Sequence, residues 1–408
     1  MSEILQLLKS VAPTKGTGPV KNRLFVIFAA LVAVLFWTRA ALADGLQDLP
    51  PDLQKAYEGL DSKVPVGASM LRDFKPKHGP PWTIGFASSY AGNTWRAVAM
   101  NHLMNVLVPE AKKAGLVKDV VITQSDLKDA VQIQQMRQLV DQGVDIIFLC
   151  CSNPTALNQT IKYAYDKGVP VVSYDGFVSA PEAVSAMANY VDGGYELAKA
   201  VIEKIGGKGN ILMVSGIAGV NTSDSFDKGA LKAISEYPNV KLAGTVQGKW
   251  TDQIAQVEVQ KFLATHPEPI DGIVLQSPSE NGVLQAMLQS GRPVVPMSLQ
   301  GEAGAACYWR QHPEWADTAF YIWPPGGEIY FGWNVTLRIL QGQGPKIQSI
   351  VRKVMKYSYE DNKAQVSENC KTDDPNWLEP KAEDWFPSSL ADQVFLRPSD
   401  PMKWKPEK

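Results

Sequence analysis

Six segments, each placed just after an apolar run, hold the side chains best suited to gripping a small polar molecule. Residues 88–96 read Ser-Ser-Tyr-Ala-Gly-Asn-Thr-Trp-Arg and include Asn93 and Trp95. Asp175 follows the run at 169–174, and Asp224 closes the segment that begins at Ser215. Trp250 and Asp252 follow 240–246, Ser277 and Glu280 follow 271–275, and Gln300 and Glu302 follow 293–296. Carboxylates, amides and hydroxyls can donate to or accept from the edge of a hydroxyl-rich solute, while flat indoles cover its C–H faces. Each residue also has a plainer role open to it. Asp175, Asp224 and Asp252 can serve as turn or helix N-cap residues, and Trp95 and Trp250 can be ordinary core. Asp252 reads better as a cap; Asp175, directly at a strand end, reads better as a ligand.

Other chemistries lack their residues. The four histidines, His78, His102, His266 and His312, are scattered, and no C-x-x-C or H-E-x-x-H pair exists to hold a metal. The nucleophile-elbow pattern G-x-S-x-G is missing. Gly206-Gly207-Lys208-Gly209 lacks dinucleotide or P-loop spacing and reads as a helix stop. No metal or cofactor is expected. An enzyme acting on a glycoside would have to draw its carboxylate pair from Asp175, Glu280 and Glu302; loop carboxylates are common enough that we do not favour it. The formal net charge of −2 offers no basic excess for nucleic acid.

The elements that must position these loops alternate along the chain. Strands are expected at 82–87, 119–123, 144–151, 169–174, 209–214, 240–246, 271–275, 293–296 and 317–322. Helices are expected at 95–115, 126–143, 154–168, 193–205, 223–236, 252–266, 281–290 and 326–341. Nearly apolar strands alternating with helices predict an α/β fold with parallel sheets covered on both faces. A pause near 185–194 divides the series into two doubly wound lobes. Ligands of such sheets sit beyond the carboxyl ends of the strands, so two lobes facing each other there would enclose an interlobe cleft.

Lys21 and Arg23 precede an apolar run at 24–37, too short for the ~20 residues a spanning helix needs. Ala41-Leu42-Ala43 then supplies small residues before Asp44, so residues 1–43 read as a signal peptide. The long stretch before Lys21, and Arg39 within the cleavage region, leave an uncleaved anchor as the alternative. Loss of 1–43 would leave a net charge of −6. Residues 44–80 form a proline-containing leader with a short helix near 53–60. Cys150 and Cys151 read as small buried hydrophobes. An exported protein can oxidise Cys307 and Cys370 to a disulfide, although sequence does not show that they meet.

The stretches 84–95 (Ile-Gly-Phe-Ala-Ser-Ser-Tyr-Ala-Gly-Asn-Thr-Trp), 138–147 (Gln-Leu-Val-Asp-Gln-Gly-Val-Asp-Ile-Ile), 168–172 with Asp175, and 216–219 (Gly-Ile-Ala-Gly) resemble the ribose-binding-protein type of periplasmic sugar-binding proteins of ABC transporters. The resemblance covers about residues 82–341. It implies two Rossmann-like lobes joined by three hinge crossings, divided as 82–189 plus 324–352 and 190–323 plus 353–408, the latter including an irregular tail. It implies that Asn93 and Trp95 touch the sugar, that Asp175 accepts from its hydroxyls, and that Trp250 covers a face from the second lobe. Ser277 and Gln300 or Glu302 fall near further polar contacts, and Trp323 near a hinge residue that meets the ligand. Asp224 joins the candidate set from its own loop. The chain departs from the pattern at Gly176 and at Asp224, Phe226 and Asp227, where the family places arginines, so ribose itself is in question and another sugar, a polyol or a cationic solute becomes possible. The implied role is capture of a small sugar or polyol in the periplasm by a monomer that delivers it to an inner-membrane ABC permease without covalent chemistry. A sensory protein feeding a membrane receptor is the alternative.

Overall fold

The computed structural model describes residues 45–150 and 153–405. The expected signal peptide and Cys151 lie outside the described residues. The leader packs as structure of its own: helix α1 (Pro51–Gln54) runs into a tighter turn at Lys55–Tyr57, and the Tyr57 hydroxyl donates to the Ser349 carbonyl at 2.8 Å.

Eleven strands follow among the described residues. Strands β1 (Trp82–Ser88), β2 (Val117–Gln124), β3 (Ile146–Cys150), β4 (Val171–Tyr174) and β5 (Ala183–Ala188) join β10 (Ser349–Arg352) in a six-stranded parallel sheet ordered β10-β5-β4-β3-β1-β2. The fully buried side chains of β3, β4 and β5 explain their unbroken apolar pattern. Helices α2 (Thr94–His102), α3 (Val108–Lys113), α4 (Asp129–Asp141) and α5 (Asn158–Asp166) connect these strands. A wider turn at Leu103–Leu107 joins α2 to α3.

The second lobe begins with α6 (Tyr190–Lys204). Strands β6 (Gly209–Ser215), β7 (Val240–Gln247) and β8 (Gly272–Leu275) form its parallel sheet in the order β7-β6-β8. Helices α7 (Asn221–Ser235), α8 (Asp252–Thr265), α9 (Glu280–Ser290) and α10 (Ala303–Gln311) accompany it, and β9 (Thr318–Tyr321) pairs with β11 (Met355–Ser358) in an antiparallel ribbon. Helix α11 (Pro325–Leu340) returns to the first lobe, and α12 (Tyr359–Gln365), α13 (Ala382–Trp385) and α14 (Ser388–Val394) lie in the tail. The two lobes are thus joined after β5, between β9 and α11, and between β10 and β11. No described helix is long and apolar enough to cross a membrane.

Some elements differ from the sequence reading. The pause at 185–194 is partly β5. The expected strand at 293–296 contains Pro293 and Pro296, and only Met297 bridges to Ile273. The Ala- and Gly-rich stretch at 303–311 is helix α10. The tail does not stay with the second lobe: from Glu379 onward it packs on the first, with Phe386 against Phe331 at 4.3 Å and Trp404 against Trp82 at 5.7 Å. Cys307 of α10 and Cys370 form a disulfide.

Candidate functional site: the interlobe cavity

The loops at the carboxyl ends of β1, β4, β6, β7 and β8, together with the hinge residue Trp323, enclose a small cavity with about 30 Å³ open to the centres of water-sized molecules. Asn93, Trp95, Asp175, Trp250, Ser277 and Trp323 all line it, as do Tyr90, Arg96, Thr222 and Pro278.

Asn93 is the N-cap of α2: its Oδ1 accepts from the Arg96 backbone N–H at 2.9 Å. Its Nδ2 donates across the cleft to the Trp250 carbonyl at 3.2 Å. Trp95, in the first turn of α2, is buried and donates from Nε1 to the Trp323 carbonyl at 2.6 Å. Capping of one helix therefore fixes two indole-bearing contacts at once.

Asp175 directly follows β4 with φ of +52°, an uncommon conformation for a residue with a side chain. Both carboxylate oxygens have a protein donor: Arg96 Nη2 reaches Oδ2 at 3.0 Å and the Tyr190 hydroxyl reaches Oδ1 at 3.2 Å. Burial pushes the Asp175 carboxyl above its ordinary range, while Arg96 and Tyr190 pull it back. The Arg96 guanidinium lies 4.4 Å over the Trp95 ring, an arrangement that holds a cation flat against an aromatic face. Each carboxylate oxygen retains acceptor capacity for a guest hydroxyl.

From the second lobe, Trp250 enters with φ of +54°, and its Nε1 donates to Gln276 Oε1 at 3.1 Å. Gly216 makes room: a Cβ there would lie 2.4 Å from the Trp250 ring. Ser277 donates to the Glu280 carboxyl behind the wall. Trp323 packs at 5.4 Å from Tyr190 and 5.7 Å from Phe226, and its buried Nε1 has no hydrogen-bond partner.

Three expected site residues lie elsewhere. Asp224 is exposed and accepts from the Gly219 N–H at 3.1 Å, closing the turn before its own helix. Gln300 is buried and donates to the Leu275 carbonyl at 2.9 Å. Glu302 accepts from the backbone N–H groups of Ser279, Glu280 and Asn281 at 2.6, 3.1 and 3.1 Å, so it caps α9 from outside the helix. Asp252 accepts from Gly282 N–H at 2.8 Å in the same cluster. Burial and the neighbouring carboxyls push Glu302 up, and burial pushes Glu280 up to about 8. Neither Glu280 nor Glu302 lines the cavity; Asp175 is the sole carboxyl among its described lining residues. The paired carboxylates a glycoside-cleaving mechanism would need are therefore not assembled there.

Arg96 was missed as a site residue although it directly follows Trp95. It places a guanidinium in the cavity wall, bonded to Asp175. Tyr90 stands in the same loop, whereas Thr222 and Pro278 carried no distinguishing signal.

Residues 84–344 match the periplasmic binding protein domain. The chain belongs to that family. Its relatives include the xylitol-binding protein of Mycolicibacterium smegmatis (strain ATCC 700084 / mc(2)155), 26% identical over 170 residues that cover 41% of this chain and 49% of the relative. The match thus spans about half the length of that relative. A galactofuranose-binding protein of Escherichia coli (strain K12) is 24% identical over 233 residues, covering 54% of this chain and 71% of the other. Among solved structures, an ABC transporter solute binding protein from Thermobispora bispora DSM 43833 superposes with a TM-score of 0.66 at 24% identity, covering 77% of this chain and 95% of that one. This periplasmic-binding-protein likeness carries the two-lobed fold.

Proposed function

We propose that the protein binds a small, uncharged sugar or polyol between its lobes, outside the inner membrane, and presents the closed form to an ABC permease. The observation that carries this reading is the buried Arg96–Asp175 pair set among Trp95, Trp250 and Trp323. An ion pair that is internally neutral gives no net attraction for an ion, yet offers charge-assisted hydrogen bonds to hydroxyls. The indoles supply flat apolar cover. The same balance argues against a cationic solute. Names of relatives that bind xylitol and galactofuranose support the polyhydroxylated class.

Mechanistically, an open cleft admits the solute, Asp175 and Arg96 engage it from the first lobe, and Trp250 closes over it from the second. The Asn93 contact to the Trp250 carbonyl forms only when the lobes meet. The test is calorimetry and thermal melting with pentoses, hexoses, furanosides, xylitol and inositol. A binder at 100 times its Kd should stabilise the protein by about 2.7 kcal/mol. Folded protein that ignores the whole panel, or responds instead to charged amino acids, overturns the reading.

A further inference from the structure

The three connections between lobes are the ordinary chain crossings, but the tail adds another. Up to Leu378 it is fastened to the second lobe. Cys370 is bonded to Cys307 of α10, the Asp374 carbonyl accepts from Gly304 N–H at 3.1 Å, and the Leu378 N–H donates to the Gly301 carbonyl at 2.7 Å. The next residue belongs to the first lobe. Glu379 Oε2 accepts from the Gly326 and Gly327 N–H groups at 2.5 and 3.2 Å, capping the start of α11. Beyond it, Trp385 donates to Glu328 at 3.2 Å, and Trp385 and Phe386 are both buried against α11.

We propose that the tail is a fourth hinge crossing that restricts how far the cleft opens. Its two anchors are adjacent in sequence, and a residue spans at most about 3.6 Å, so the backbone between them has no slack and only the Glu379 side chain can give. A hinge works because a few residues absorb dihedral changes. Here any rotation that separates Gly301 from Gly326 must break either the Leu378 bond or the Glu379 cap. The disulfide keeps the second-lobe anchor from peeling away, and the buried aromatics keep the first-lobe anchor in place. The ligand-free protein is therefore held nearer to closed than three crossings alone would hold it.

The inference rests on the two-lobed fold and not on the identity of the ligand. Its test is small-angle X-ray scattering on the full ligand-free chain, comparing wild type with a variant carrying a six-residue Gly/Ser linker inserted between Leu378 and Glu379. Both docks remain, and only the tether lengthens. We expect the radius of gyration to rise by on the order of 1 Å as the lobes part, while the same linker placed between Ser399 and Asp400 leaves the radius unchanged. Equal radii for the 378/379 insertion and wild type overturn the proposal. Should that insertion not fold, the Cys307→Ser/Cys370→Ser variant replaces it. A larger radius then supports the restraint, and an unchanged radius counts against it.

Discussion

Asp175 meets opposing demands: the proposed binding role needs its carboxylate charged, yet burial favours the neutral form. Arg96 and Tyr190 reconcile them by taking one lone pair of each oxygen. Asp175→Asn keeps the shape and removes the charge, so we expect sugar affinity to fall by roughly 10- to 100-fold, measured by calorimetry, and the melting temperature to fall as well because Arg96 loses its buried counter-charge. The buried carboxyl cluster gives a second expectation. Glu280 rises to about 8 when folded, against an ordinary value near 4.3. The stability linked to its protonated form is complete below the unfolded value and is lost as pH climbs through the folded one. Melting temperature should therefore fall between about pH 5 and pH 8, and Glu280→Gln should flatten that slope. A slope unchanged in the variant would assign the dependence to Asp252 or Glu302. At this scale the sequence was partly legible. Asn93, Trp95, Asp175, Trp250 and Ser277 were readable because they follow strand ends. Gln300 and Glu302 also follow an apolar run but turn inward to satisfy backbone groups, and nothing local in their sequence distinguishes the two outcomes.

Elements in the second lobe owe their closeness to small residues. Helices α6 and α7 approach so tightly that a Cβ on Gly229 would lie 1.9 Å from the Val191 carbonyl oxygen, and one on Gly194 would lie 2.0 Å from that of Phe226. Gly229→Ala must push the helices apart, so we expect a loss of roughly 1–3 kcal/mol, read from denaturant melts. Because α7 carries Phe226, which packs on Trp323, sugar affinity should weaken as well. The alternation of strand and helix was clear in the sequence because apolar runs and helical periodicity are local. What escaped was short or masked by composition. Strand β5, Ala-Val-Ser-Ala-Met-Ala, is weak in β-branched residues, and β10 sits in the proline-containing tail, where it gains its identity only by pairing with β5.

The whole molecule depends on partners far apart in sequence. Tyr57 of the leader holds β10, Trp82 meets Trp404 near the far end, and the tail changes lobes between Leu378 and Glu379. Such contacts leave no periodic trace, which is why the lobes could be anticipated from the chain but the course of the tail could not. One further consequence follows from the indoles that face the cavity. Trp95, Trp250 and Trp323 stand on three different segments and converge on the same space, so a guest entering it alters the polarity around all three. The protein thus carries an intrinsic optical reporter. Saturating sugar should shift or quench its ultraviolet emission, and Trp250→Phe should diminish that signal more than replacing Trp404, which stands against Trp82 and away from the cavity.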